Sequence, residues 1–195
     1  MLDNPSLFDL LHQRFPAAIL STHAHRGDAT VTIRSEYLLD VARFLRDEPG
    51  FRMNFLMDLT AVDYLTFGQK PPGRAAHFNA GVAVRPPAFI QDQIPWPGPA
   101  TGARFEVVYH FYSLETGHRL RLKVPVEEDS PQVDSLTPVW ASADWFEREV
   151  WDMFGIRFKG HPNLKRILMY EEFQGHPLRK DYPVNRRQPL IGPIN

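Results

Sequence analysis

The residues best suited to chemistry stand together in the stretch Trp-Phe-Glu-Arg-Glu-Val-Trp-Asp-Met-Phe-Gly, residues 145–155. Glu147, Glu149 and Asp152 could serve as paired carboxylates, but general acid–base catalysis needs two such groups that converge across a pocket. At ~100° per residue, Glu147 and Glu149 of a helix point roughly 200° apart, so they diverge. Arg148 has an acidic residue four positions away on each side, which favours ion pairs along the helix.

Histidines offer a second possible chemistry, metal coordination. The tripeptide Gly-His-Pro occurs twice and places His161 and His176 each between a glycine and a proline. A zinc site needs three or four ligands, and no His-x-Glu-x-x-His type of spacing supplies them. His23 and His25 alternate along one β-rich run without a third partner, and His110 lies in an aromatic run that favours a core histidine. The sequence therefore predicts no metal site.

Phosphate and nucleic-acid binding are not indicated either. The chain has neither Gly-x-Gly-x-x-Gly after a strand nor Gly-x-x-x-x-Gly-Lys-Ser/Thr. Arg119, Arg121 and Lys123 share one face of a predicted strand, and three basic pairs follow later in the chain. Because 22 Lys and Arg are balanced by 23 Asp and Glu, we interpret the basic face as solvated or as pairing with a partner.

Composition excludes further classes. The absence of cysteine excludes disulfides, thiolate-bound iron–sulfur clusters and cysteine nucleophiles. No apolar run approaches the ~20 residues of a membrane helix, and the N-terminus lacks the basic and apolar regions of a signal peptide. We therefore expect any membrane association to occur through another protein.

The elements that must position these residues predict an α+β fold for residues 1–155, with helices on one side of a mixed sheet of about five strands. The expected order is α-β-β-α-β-β-β-α. Ser35 is expected to cap the second helix, Ser142 or Asp144 the last one, and Gly155 to end that helix in the left-handed conformation. The predicted helices are 5–14, Ser35 to Asp47 and 143–154, with a helical turn at about 135–140; the predicted strands are 18–22, 29–33, 51–59, 105–114 and 119–126.

Two segments fall outside this pattern. Residues 68–103 contain prolines at seven positions from Pro71 to Pro99, which predicts a long loop inserted into the sheet. After Gly155 the helical periodicity fails while apolar residues continue. We therefore predict an extended C-terminal arm, residues 156–195, that buries apolar anchors on another chain.

The ordered motifs of the last third resemble a known family. They are Glu147-Arg148-Glu149, Asp152-Met153-Phe154-Gly155, Gly160-His161-Pro162, Arg166-Ile167-Leu168 and the run 175–183, Gly-His-Pro-Leu-Arg-Lys-Asp-Tyr-Pro, with Phe-Glu-Val-Val-Tyr-His at 105–110 and Ser-Leu-Thr-Pro-Val-Trp at 135–140 upstream. Together they resemble the C subunit, or thirty-kilodalton subunit, family of bacterial respiratory complex I, the proton-pumping NADH:quinone oxidoreductase. The resemblance is weak over about residues 35–66 and close over 104–184. The insert at 68–103 is longer than the family's turn, and Asp134 stands where proline is common.

The resemblance implies a scaffolding subunit of the complex's peripheral arm, without catalytic residues, metal or cofactor of its own. FMN, iron–sulfur clusters and quinone would lie on other subunits. The implied partners are chiefly the D subunit, which the C-terminal arm would contact, and the B and I subunits. The implied location is peripheral, on the cytoplasmic side of the cell inner membrane. The residues expected at the partner interface are Glu147, Arg148, Glu149, Asp152, His161, Leu164, Arg166, His176, Arg179, Lys180 and Tyr182.

Two alternatives stay open at this point. The same fold could serve a related membrane-bound hydrogenase or a ferredoxin- or F420-linked oxidoreductase. The chain could also be a free-standing enzyme that uses Glu147 with Glu149, or His161 with His176.

Overall fold

The protein is described by a computed structural model over residues 4–67, Pro99 and 101–189, with side chains described from residue 7 onward. The elements are α1 (Asn4–Arg14), β1 (Ile19–His25), β2 (Asp28–Ile33), a 3-10 turn (Ser35–Tyr37), α2 (Leu38–Asp47), β3 (Phe55–Asp63), β4 (Phe105–Tyr112), β5 (Arg119–Val126), β6 (Gln132–Asp134), α3 (Ala143–Phe154) and β7 (Arg157–Lys159). The predicted α+β class is confirmed. The predicted order of elements holds from α1 to β5, and the last predicted helix, α3, follows after the short strand β6.

The main sheet has five strands in the order β1-β2-β5-β4-β3. Strands β2 and β5 pair in parallel, and the other neighbours pair antiparallel. The register aligns Val31, Leu122, Tyr109 and Leu59 in one row across four strands, and all four side chains are buried. Burial of one such side chain contributes roughly 1.5–3 kcal/mol, so this row is a main stabilising layer beneath the helices.

Helix α3 buries a charged residue on its inner face. Phe146 is only half-buried, whereas the neighbouring Glu147 is fully buried. Gly155 ends the helix at φ 76°, in the left-handed region, as predicted. The predicted side-chain cap is wrong, because Ser142 stands at the N-cap in a helical conformation and makes no capping hydrogen bond.

Strand β3 begins four residues later than predicted and ends at Asp63. The amides of Phe51 and Arg52 both donate to the Glu48 carbonyl and continue the turn that ends α2, so they are not free to join the sheet. Pairing with β4 then extends as far as Asp63 opposite Phe105. The strand therefore runs four residues beyond its predicted end at Leu59.

The segment after Gly155 begins inside the fold. Strand β7 pairs in parallel with β6, with Val133 opposite Phe158, and this small second sheet was not predicted. Ile156 and Phe158 are buried in the same core as the main sheet. The first residues of the predicted arm thus belong structurally to the α+β domain.

Most of the predicted insert, residues 68–98 and 100, lies outside the described residues. The residues that flank the insert are joined by a hydrogen bond from the amide of Tyr64 to the carbonyl of Arg104 at 2.8 Å. Within the described parts of the chain, no helix is both long and apolar enough to cross a membrane.

Candidate functional site

The two Gly-His-Pro histidines contact opposite ends of helix α3. The Nε2 atom of His161 lies 3.1 Å from the Asp144 carbonyl, and Nδ1 of His176 lies 3.0 Å from the Asp152 carbonyl. A carbonyl can only accept, so each of these ring nitrogens carries the proton. The other nitrogen of His161, Nδ1, accepts the amide of Asn163 at 3.0 Å. Both ring nitrogens of His161 are thus occupied in hydrogen bonds within the chain.

The ring of His176 lies directly against Gly155. A Cβ atom at position 155 would stand 2.6 Å from two ring atoms of His176, so the position needs glycine for space as well as for its φ of +76°. The same ring meets Trp151 edge-on, with centroids 6.4 Å apart. Burial lowers the pKa of His176, with smaller contributions from nearby arginines. Its neutral imidazole therefore fills the space beside Gly155 at the C-terminal end of α3.

Asp152 holds the middle of the arm. Its Oδ2 atom accepts three successive backbone amides, from Ile167 at 3.1 Å, Leu168 at 2.9 Å and Met169 at 2.8 Å. Its Oδ1 atom accepts from Arg166 at 2.5 Å. Burial alone would raise the pKa of Asp152, but the amides and the guanidinium outweigh it and lower the pKa. Asp152 is thus an ionised anchor in a nest of backbone donors.

The predicted ion pairs along α3 are wrong. Arg148 donates to the backbone carbonyls of Lys165 at 3.2 Å and Arg166 at 3.1 Å. Asp152 is directed inward to Arg166, and the carboxylate of Asp144 lies 3.3 Å from the His161 ring. The arm supplies hydrogen-bond partners for Arg148 and Asp152, which replace the expected i,i+4 pairs within the helix.

The arm also satisfies the last carbonyls of α3, which have no partner within a helix. Besides His176 on the Asp152 carbonyl, the amide of Leu178 donates to Met153 at 3.1 Å, and Arg179 Nε donates to Phe154 at 2.7 Å. Because these donors come from the predicted arm, the arm completes the helix end that Gly155 opens.

Glu147 is fully buried and binds the Ser-Leu-Thr loop that precedes α3. Its Oε2 atom accepts the Ser135 hydroxyl at 2.6 Å, and its Oε1 atom accepts the amide of Leu136 at 2.6 Å. Burial raises the pKa of Glu147 to about 7, against the lowering effect of these hydrogen bonds. Glu149 is exposed on the other side of the helix, so the two carboxyls do not converge.

These positions decide which expected interface residues can reach a partner. Contact through Glu147, Asp152 and His161 is not supported, because all three side chains are fully buried inside this chain. Glu149 and Lys180 are exposed; the half-buried members, which contact this domain on one side, are Arg148, Leu164, Arg166, His176, Arg179 and Tyr182. That these residues contact a partner stays a prediction.

Sequence reasoning missed a charged cluster built from Asp63, Arg104 and Asp181. The side chain of Asp63 is fully buried and bonds Arg104, whose guanidinium also reaches Asp181. Asp63 is the last residue of β3 and Arg104 immediately precedes β4, so each lies beside an apolar run. The sequence signal for this cluster was a single charged residue at the end of an apolar strand.

Four large apolar side chains of α3 and the described part of the arm are exposed: Trp145 at 65%, Leu168 at 56%, Leu178 at 49%, and Val184, which is fully exposed. The Arg148 guanidinium lies 5.5 Å from the Trp145 ring centre, which gives this surface a cation beside its aromatic residue. Aromatic and arginine side chains are enriched at protein–protein interfaces. The arrangement suits protein contact. Among the described residues, no group of three or more His, Asp or Glu is placed to hold a metal ion.

Comparison with solved structures gives the fold independently. The chain is similar to the trypsin-resistant fragment 1–134 of Nqo5, with 28% identity, a TM-score of 0.55, and coverage of 81% of this chain and 98% of that one. A chain of the membrane-bound sulfane sulfur reductase, an archaeal respiratory membrane complex, shares the fold at a TM-score of 0.60 and 18% identity, over 93% of this chain and 86% of that chain.

Comparison with sequences gives the family. The C subunit of NADH-quinone oxidoreductase from Citrifermentans bemidjiense is 42% identical over 197 residues, which cover both chains completely. Its namesake from Roseiflexus castenholzii is 43% identical over 96% of this chain and 88% of its own length, and that of Coxiella burnetii is 42% identical over 94% and 80%. The model of the family described as respiratory-chain NADH dehydrogenase, 30 Kd subunit, matches residues 31–188. The chain therefore belongs to the 30-kilodalton subunit family of respiratory-chain NADH dehydrogenase, a component of an NADH–quinone oxidoreductase complex.

Proposed function

We propose that this chain is a non-catalytic scaffold subunit, which holds neighbouring subunits of the complex in place while they pass electrons from NADH to quinone. One observation carries this proposal. The groups best suited to chemistry are already used inside the chain: Glu147 by the Ser135 loop, Asp152 by the arm, and His161 through both ring nitrogens. A catalytic acid, base or metal ligand needs a free site that faces substrate.

The redox cofactors of the complex would then lie elsewhere. We propose that FMN, the iron–sulfur clusters and the quinone site belong to other subunits, and that this chain binds none of them. The lack of cysteine supports this for iron–sulfur clusters, since their ligands are cysteine thiolates in nearly all cases.

The proposed partners are the D subunit, against the arm, and the B and I subunits beside it. The exposed Trp145, Leu168 and Leu178 support a protein-facing surface on α3 and the arm. Through these partners the chain would sit on the cytoplasmic side of the inner membrane. The alternative, a subunit of a hydrogenase or of a ferredoxin- or F420-linked complex, has less support, because the relatives at 42–43% identity are named for NADH–quinone oxidoreductase.

The test is assembly of the whole complex around a tagged chain. Replacing Leu168 and Leu178 together by Glu puts charge on the proposed contact surface without entering the core. We expect this variant to fold normally and to lose most of the D subunit that co-purifies, as measured by quantitative mass spectrometry. Leu114→Glu is the matched control, because Leu114 is 67% exposed on the β4–β5 turn.

Two results would count against the proposal. Unchanged recovery of the D, B and I subunits with the double variant would remove the assigned contact surface. Quinone reduction by the purified chain alone, with NADH as the electron donor, would show that the chain carries its own active site.

A further inference from the structure

The two ends of the inserted segment are fastened by a buried ion pair. Asp63 ends β3 and Arg104 immediately precedes β4, so the two residues face each other where the insert leaves and re-enters the sheet. Arg104 donates from Nε to Oδ1 of Asp63 at 3.1 Å and from the second guanidinium nitrogen to Oδ2 at 3.0 Å. The two side chains are 9% and 0% exposed. The two parallel hydrogen bonds hold the base of the insert in one geometry, and the two opposite charges neutralise each other.

The same two side chains also bind the C-terminal arm. Oδ2 of Asp63 accepts the backbone amide of Lys180 at 2.8 Å, and the carboxylate of Asp181 lies 2.9 Å from the Arg104 guanidinium. Oδ1 of Asp63 meanwhile accepts the amide of Leu65 at 3.0 Å, the second residue after β3. The side chain of Asp63 therefore accepts hydrogen bonds both from the chain just after β3 and from an arm residue 117 positions away in sequence.

An aromatic ring reinforces the junction. The buried ring of Phe105 has the Arg104 guanidinium 4.7 Å from its centre and the Arg179 guanidinium, from the arm, 5.1 Å away. Glu128 adds a further bond to Arg104 at 2.6 Å, but from an exposed position outside the arm. The arm thus meets the base of the insert through three consecutive residues, 179–181.

We propose that Arg104 is a latch that couples docking of the arm at residues 179–181 to the backbone geometry at the base of the inserted segment. The arm bonds to the Oδ2 atom of Asp63 and to the Arg104 guanidinium nitrogen that also bond to each other. A displacement of either partner therefore changes the arm's binding site, and loss of the arm removes bonds that hold the pair. A partner subunit that moves the base of the insert would loosen the arm, and one that pulls the arm would loosen the base. The latch concerns contacts within this chain and does not depend on the scaffold function proposed above.

The test compares two variants of the full-length chain that each remove one carboxylate from Arg104. Asp181→Asn removes the arm's carboxylate, which is 47% exposed, and the control Glu128→Gln removes a carboxylate outside the arm that is 55% exposed. The first measurement is the rate of tryptic cleavage after Arg179 and Lys180, divided by the rate for a peptide of residues 174–187 with the same sequence. The second is hydrogen exchange at the amide of Leu65, followed by mass spectrometry or NMR.

We expect Asp181→Asn to raise the normalised cleavage rate about two- to fivefold, since an ion pair whose carboxylate is 47% exposed contributes roughly 0.5–1 kcal/mol, which corresponds to those factors. Exchange at Leu65 should accelerate in the same variant, because the Leu65 amide donates to the Asp63 carboxylate that Arg104 holds. Glu128→Gln should change neither rate. Cleavage after Lys165 and Arg166, where Asp152 holds the chain, should stay constant in all variants.

The reverse direction uses Arg104→Lys, which keeps the charge but loses the bidentate fork. Faster cleavage at residues 179 and 180, together with faster exchange at Leu65, supports the latch. Faster cleavage in Asp181→Asn without any change at Leu65 would show that the arm and the insert base are independent, and would overturn the proposal. If Glu128→Gln accelerated cleavage and exchange as much as Asp181→Asn does, the cause would be a general change of charge, and the latch proposal would be overturned. If Arg104→Lys fails to fold by circular dichroism, the Asp181 and Glu128 pair of variants decides the question alone.

Discussion

Replacing Glu147 by Gln should make the stability of this protein less dependent on pH. Burial raises the pKa of Glu147 from an ordinary 4.5 to about 7 in the folded chain. Between these two values the folded state holds a proton that the unfolded state has lost, so the free energy of unfolding falls as pH rises. Below pH 4.5 both states are protonated and the group has no effect. Above pH 7 the full cost of burying the charge is present.

The magnitude follows from the shift. A difference of about 2.5 pKa units, from 4.5 to about 7, corresponds to roughly 3 kcal/mol at ~1.4 kcal/mol per unit, of which about 2–3 kcal/mol falls between pH 5 and pH 8. A neutral amide at position 147 can still accept the Leu136 amide and donate to the Ser135 hydroxyl. The advantage of Gln over Glu should therefore grow by about 2–3 kcal/mol between pH 5 and pH 8.

Urea unfolding at pH 5, 6, 7 and 8, followed by tryptophan fluorescence, measures this difference. Other titrating groups contribute equally to wild type and variant, so they cancel in the comparison. Glu149→Gln is the matched control, since Glu149 is an exposed carboxyl two residues away on the same helix, and its difference from wild type should stay flat. A constant difference between wild type and Glu147→Gln across this range would refute the assignment of a protonated, buried carboxyl.

Three further substitutions test the contacts between α3 and the arm. Gly155→Ala should destabilise the protein by more than the ~1–2 kcal/mol cost of a left-handed alanine, because the new Cβ lies 2.6 Å from the His176 ring. Adding His176→Ala should restore only the part of the stability that the steric clash removes, as measured by thermal unfolding. Asp152→Asn should cost about 3–5 kcal/mol in urea unfolding, since it leaves a buried guanidinium without its counter-charge, while Asp47→Asn at an exposed pair should cause no measurable change. Arg148→Ala should cost only about 1–2 kcal/mol, because Arg148 bonds two backbone carbonyls and leaves no buried carboxylate unpaired; a loss as large as that of Asp152→Asn would contradict this.

Local sequence signals were sufficient for most of the fold. Alternation in β5 and the 3.6-residue period of α2 identify one face of each element, and Gly155 marks the end of α3 through its conformation. Such signals depend on neighbours a few residues apart, so they survive without knowledge of tertiary contacts. The start of β3 was misplaced because apolar Phe51 and Met53 are buried in a turn, which a period-2 pattern cannot distinguish from a strand.

The candidate site was less predictable, because its contacts join distant segments. Spacing along α3 predicted a partner four residues away for Arg148, whereas its actual partners are carbonyls of residues 165 and 166. The buried position of Glu147 breaks the expectation that a charged residue faces solvent, and only the Ser135 loop explains it. Asp63 and Arg104 pair across the whole insert. No local rule relates residues separated in this way.

The arm acts first on its own domain. The carbonyls of residues 152–154, at the end of α3, have no partner within the helix. Donors from residues 176–179 of the arm bind all three. Without the arm these groups and the buried Asp152 would lose their partners, so the arm cannot be a tail that becomes ordered only on a neighbour. We therefore expect the proposed partner to bind the outer side of a docked arm, where Leu168 and Leu178 are exposed. Binding to a surface that is already ordered avoids most of the entropy cost of folding a disordered segment on contact. His161 and His176, the two histidines considered as metal ligands, attach the arm to the two ends of α3 and so hold this surface in place.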